Sequence, residues 1–175
     1  MATAETVDLG RVHEPKEESI RVFRQIEQEL KKELLHIRHE YRNQSLAILM
    51  VIPARARGRI FPGSGKNTPP TFPGPSSHIR AAEHLDDQQL VAFGPGDFVA
   101  VRVAVSAYGI HLFGKVHVPA LPDSGPAYIH FRVFVPGGEP PKLHSIHTEE
   151  KEQPDGDRTY RAIFTKDDVL EWFDT

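Results

Sequence analysis

The chain of 175 residues contains no cysteine. That absence excludes a disulfide-stapled secreted scaffold, a cysteine nucleophile, Cys-ligated zinc and iron–sulfur chemistry. An excess of basic charge is also missing. Lys and Arg number 21 against 24 Asp and Glu, for a net charge of −3. No global field therefore favours nucleic acid or anionic lipid, and neither is expected as a partner. Long apolar runs are lacking too. The longest, LAILMVI at 46–52, falls far short of the roughly 20 residues needed to cross a bilayer. Residues 1–16 are polar and mixed in charge, without the apolar centre of a signal peptide, and no lipidation motif is present. These absences point to a soluble cytoplasmic protein that makes no membrane contact.

Two residue types are abundant instead. There are 15 Pro in 175 residues, well above the average usage of about 5%. There are also ten His, of which five lie between His111 and His147. A hydrophobic share of 39% is enough for a core, so the chain is not globally disordered. The length suits a single α+β domain over 16–175, preceded by a flexible N-terminus at 1–15.

The first element is a helix. Between Lys16 and Tyr41, apolar residues fall at Ile20, Phe23, Ile26, Leu30, Leu34, Ile37 and Tyr41. Steps of three and four place them on one stripe of an amphipathic helix. The run at 46–52 reads as a buried strand on grounds of length, with a short second helix as the alternative. In the ARARGRIF stretch, Arg55, Arg57 and Arg59 alternate and would share one side of an extended chain. Residues 62–77 hold five Pro and three Gly, which leaves no regular element. This long loop reads as an insertion, with a lid as the alternative. Residues 78–85 read as a short helix or the start of a strand.

The C-terminal half changes period. Residues 97–106, 110–118 and 127–135 alternate with period two and read as three strands. In the first, Val99, Val101, Val103 and Val105 share a face against Phe98, Ala100, Arg102 and Ala104. In the second, His111, Phe113, Lys115 and His117 oppose Ile110, Leu112, Val116 and Val118. In the third, Tyr128, His130, Arg132 and Phe134 oppose Ile129, Phe131, Val133 and Val135. Residues 143–148 and 159–164 are further strand candidates, and 166–173 reads as a short helix with acids at its start. Short turns between successive strands imply an antiparallel meander. The fold class is therefore α+β, a long N-terminal amphipathic helix packed on a curved antiparallel β-sheet.

Chemistry concentrates on two of these strands. If the second and third strands pair, His111, Lys115 and His117 share a face with Tyr128, His130 and Arg132, with Phe113 and Phe134 among them. In a cavity such a set would polarise a carbonyl or move a proton. The plain alternative is the wet face of an antiparallel sheet. His144 and His147 point opposite ways on a strand, which argues against chelation, and no cofactor or metal is expected. The GSGKNT stretch lacks the spacing and setting of a phosphate loop. Trp172 and Phe173 read as a packing anchor at the C-terminal end.

The stretches GPGDFVAVRVAVSAYGIHLFGKVHVP, AYIHFRVFVPGG and KLHSIH, within residues 76–150, resemble the second half of a nuclear-transport-factor-like cone domain. The nearest branch is the polyketide-cyclase (SnoaL-like) one. The resemblance implies a cone-like sheet whose third strand carries the polar residues of a pocket. Enzymes of that family commonly use a carboxylate or an Asp–His pair, yet no acidic residue lies within 110–118 or 128–134. Other members are non-catalytic binding or dimerisation modules. Two expectations follow. The first is a non-catalytic module that binds a small hydrophobic ligand or a protein partner, in the form of a homodimer or a monomer. The second is a cofactor-independent isomerase, dehydratase or cyclase acting on a small hydrophobic carbonyl compound. In the second, His130 is the acid/base, with His117, Arg132 and Tyr128 as donors and His111, Phe113, Lys115 and Phe134 lining the pocket.

Overall fold

A computed structural model describes residues 7–51, 82, 84–152 and 158–174. Arg55, Arg57 and Arg59, the GSGKNT stretch, the loop at 62–77 and most of 78–85 lie outside the described residues.

Helix α1 (Glu17–Val51) is organised by its apolar stripe. Phe23, Ile26, Leu30 and Leu34 are buried, and Ile20 and Ile37 pack at the margin. Glu17 and Glu18 occupy the first turn, where the helix dipole favours acids. The strand reading of 46–52 is corrected, because α1 continues through this run to Val51. No helix breaker separates Tyr41 from Leu46, and Leu, Ala and Met are strong helix formers. The first breaker beyond is Pro53.

The sheet is an antiparallel meander of β1 (Asp8–Leu9), β2 (Phe98–Ser106), β3 (Gly109–His117), β4 (Tyr128–Pro136) and β5 (Lys142–Ile146), in that spatial order. β2, β3 and β4 match the alternating stretches to within one residue at each end. β1 was not announced by any pattern. It enters the sheet because Asp8 and Leu9 pair with Val105 and Ala104, followed by backbone bonds from Gly10 to Val103 and between His13 and Val101. A second hairpin pairs β6 (Glu149–Glu152) with β7 (Arg158–Arg161). Helix α2 (Asp87–Leu90) begins with a capping box between Asp86 and Gln89, and Asp87 meets Arg38 and His39 of α1.

The register of β3 and β4 sets two faces. Leu112, Val116, Ile129, Phe131 and Val133 point toward α1 and form the main core with its buried stripe. The opposite face carries Phe113 and joins a second cluster with Ala104, Leu170 and Phe173. In β2 the face assignment needs one correction. A bulge between Phe98 and Ala100 shifts the parity, so Phe98 joins Val101 on the helix side. There Phe98 stacks on Phe23 at 5.0 Å, and both contact Phe131 at 5.7 Å. This aromatic trio ties helix to sheet.

Gly114 lies opposite Phe131, and the ring of Phe131 lies directly over it. A Cβ at Gly114 would come within 2.1 Å of that ring. Phe131 is fully buried, so its ring has no free space to retreat into. Gly114→Ala is therefore expected to destabilise the protein by about 1–3 kcal/mol through overpacking. Urea unfolding monitored by circular dichroism checks this, with no change in the midpoint as the contrary result.

Candidate functional site

The register brings the proposed residues together. On β3 and β4, His111 lies opposite Phe134, Phe113 opposite Arg132, Lys115 opposite His130 and His117 opposite Tyr128. All eight side chains occupy one face, as alternation requires. The plain alternative of a wet face does not hold. His111, Lys115, His130 and Arg132 are all buried, the last two at 2% exposure.

The cover is the C-terminal segment of residues 162–174. The expected helix at 166–173 is corrected: after a turn at 166–168 the chain forms no regular element through 174. The carbonyls of Lys166, Asp168, Leu170 and Phe173 are taken by side chains from the sheet. Lys115 Nζ donates to the carbonyls of Lys166 (2.6 Å) and Asp168 (2.7 Å). Arg102 donates to Leu170 O and Arg132 to Phe173 O, both at 2.8 Å. The Asp168 carboxylate turns back to accept from the Thr165 amide and hydroxyl, fixing the turn. At the other end, Phe164 exchanges backbone bonds with Tyr128 at the start of β4.

Three local groups result. At the far end of the segment, the Arg132 guanidinium lies 4.2 Å from the Trp172 ring, and its Nη1 also meets Asp174 Oδ1 at 2.8 Å. Arg132 Nη2 donates to His111 Nδ1 at 3.3 Å. The Arg132 hydrogen bond holds the Asp174 carboxyl below the usual range, while burial and then Arg132 push His111 down. Trp172 and Phe173 thus pack as the anchor the sequence suggests, against His111 and Phe113.

In the middle, the His130 ring stacks on Phe164 at 4.4 Å, and His147 stacks on Phe164 at 5.0 Å and on Phe173 at 4.4 Å. Burial, reinforced by Lys115 and His147, lowers the His130 pKa to about 3. Burial also lowers His147, His144 and the Lys115 ammonium. His130 Nε2 is buried and has no protein partner.

At the near end, the structure adds a carboxylate that sequence reasoning missed. Asp123, from the turn between β3 and β4, accepts from the Tyr128 hydroxyl at 2.9 Å and lies 3.0 Å from His117 Nε2. Burial and the Asp123 bond raise the Tyr128 pKa. The sequence search for an acid stopped at the strands themselves. The only signal was position, since Asp123 stands five residues before Tyr128 in a turn that must pass the strand end. Among the described residues no group of three or more His, Asp or Glu is placed to hold a metal ion.

A second concavity lies elsewhere. Between α1 and β5 is a cleft of about 410 Å³, lined by Glu29, Glu33, Ile37 and Glu40 from the helix and by residues 143–146 and Thr148. None of the eight residues proposed from the sequence lines it.

The buried histidines make stability depend on pH. His130 titrates near 3 when folded against about 6.5 when unfolded, so between these values the unfolded chain binds more protons. Stability is complete above about pH 6.5 and is lost as pH falls, by up to about 1.4 kcal/mol per pH unit for this one proton. His111, His144 and His147 act in the same direction. Trp172 is the single tryptophan and sits on Arg132, so its fluorescence reports docking of the segment. Acid titration is expected to shift that emission to the red, and His130→Phe to flatten the stability profile between pH 6.5 and 4. An unchanged slope in His130→Phe would contradict the assignment.

Comparison of the chain with family models, with curated proteins and with solved structures finds no match in any of the three.

Proposed function

We propose that this chain is a non-catalytic interaction module built on a cone-like fold of the nuclear-transport-factor type. One observation carries the reading. Of the side chains that would serve the site, Lys115 and Arg132 are engaged by the protein's own C-terminal segment through the carbonyls of Lys166, Asp168 and Phe173, and His130 is stacked against Phe164. A general acid or base must reach a substrate proton within hydrogen-bond distance. Here Phe164 and Phe173 fill the space in front of His130 and His147. The concavity left open faces the helix and one edge strand, a surface suited to a protein partner.

A second reading has one specific observation behind it. Asp123, His117 and Tyr128 supply the carboxylate–histidine pairing that a cofactor-independent isomerase, dehydratase or cyclase would use. In that reading His117, not His130, moves the proton.

A thermal-shift screen separates the two. Ligand that binds only the folded state raises the melting temperature by mass action. Small hydrophobic carbonyl compounds at saturating concentration are expected to leave the Tm of the wild-type protein unmoved. A compound that raises it, and loses that effect in His117→Gln or Asp123→Asn, would overturn the non-catalytic reading.

A further inference from the structure

The cleft beside α1 combines three features that no part of the buried face shares. First, among the described residues β5 is paired only with β4, so its other side is an open sheet edge. Such an edge presents unpaired amides and carbonyls and accepts an added strand. The opposite edge of the sheet is β1, which is only two residues long. Second, the edge amide of Leu143 donates to the Glu29 carboxylate at 3.4 Å. That is a long bond to a side chain, at a position where a sheet would supply a strand carbonyl. Third, the wall of the cleft is acidic. Glu29, Glu33 and Glu40 follow one stripe of α1, and among the described residues no Lys or Arg lies within ion-pair distance of them. Only His36 approaches, at 3.5 Å from Glu40.

Acids on a helix face are ordinarily just solvated. Here they stand along a free sheet edge, and the spacing suits an added strand. Glu29 and Glu33 are one helical step of four residues apart, about 6 Å of rise. Alternate side chains of a strand are about 6.6 Å apart. An added strand would therefore set two alternate side chains against Glu29 and Glu33. Ile37, Leu143 and Ile146 form the apolar part of the same α1-facing wall, while the intervening side chains of an added strand would point to the other face of the sheet. Charge complementarity then specifies the occupant: an extended segment with basic residues at alternate positions.

We infer that the α1–β5 cleft receives an extended, arginine- or lysine-rich segment of a partner protein, which pairs with β5 as a further strand. The inference rests on the reading of the chain as an interaction module and names the partner's chemistry. The backbone of the guest supplies the pairing, and the glutamates select for its basic side chains.

The probe is a fluorescein-labelled octapeptide of alternating arginine and valine, titrated by fluorescence anisotropy against the full chain. The control peptide replaces arginine by glutamate. The expected result is saturable binding of the basic peptide alone. It is weakened about ten-fold in the double variant Glu29→Gln, Glu33→Gln, a loss of about 1.4 kcal/mol. Both substitutions are on the exposed side of α1 and leave its buried stripe intact. A second readout is direct: hydrogen exchange at the Leu143 amide is expected to slow when the peptide is bound. Equal binding by the double variant, or unchanged exchange at Leu143, would overturn the assignment of this cleft while leaving the module reading in place. No binding to the wild-type chain would overturn the inference as well. So would binding seen only after joint replacement of Arg55, Arg57 and Arg59 by Ser, which would mean that the chain supplies its own guest.

Discussion

The structure depends on how three cations of the sheet are satisfied. Arg102, Lys115 and Arg132 all project from one face of the β2–β3–β4 meander, and each donates to a backbone carbonyl of the C-terminal segment. A buried cation without partners costs several kcal/mol. Neutral carbonyls recover only part of that cost, and the lowered pKa of Lys115 is the visible remainder. Arg132 is better served, because Asp174 adds a carboxylate and Trp172 a π face. The segment is therefore the missing half of this face. Without it, two cations and two histidines that are now buried would line an open apolar sheet together with Phe113.

The same constraint explains why the segment is not a helix. A helix uses its carbonyls on its own amides four residues on. Here the carbonyls of Lys166, Asp168, Leu170 and Phe173 are claimed from the side by longer cationic arms. The irregular run also lets Phe164, Leu170 and Phe173 pack against the sheet. Local propensity at 166–173 favours a helix start, with two acids in the first turn, but tertiary bonding overrides it.

Much of the sheet was legible because period-two alternation is a direct image of which side chains meet. The eight proposed residues share a face because the register of β3 against β4 pairs them one to one. Three things were not legible. The bulge at Phe98–Ala100 inserts one residue without any sequence mark, and it moves Phe98 to the other face. The apolar run at 46–52 suits strand and helix equally by composition, and only its continuity with α1 decides. Asp123 comes from a turn, where alternation carries no information. The sequence also left open whether the polar face is wet or closed. That depended on a partner 30 to 60 residues further along the chain, and no local pattern reports such a distance.

Closure of one face and openness at one edge are linked. Because the C-terminal segment supplies the second cover, the sheet is buried on both sides and needs only α1 on the other. The helix packs across β2, β3 and β4 through its apolar stripe and runs close beside β5. That placement leaves its exposed acidic stripe running along the edge of β5. A sheet edge is a liability unless something blunts it. Here carboxylates beside the edge do so selectively, since they repel acidic strands and accept basic ones. The histidines drew attention through their number, and burial lowers the pKa of four of them, His111, His130, His144 and His147. The ordinary glutamates of an amphipathic helix gain their significance only from the strand that lies next to them.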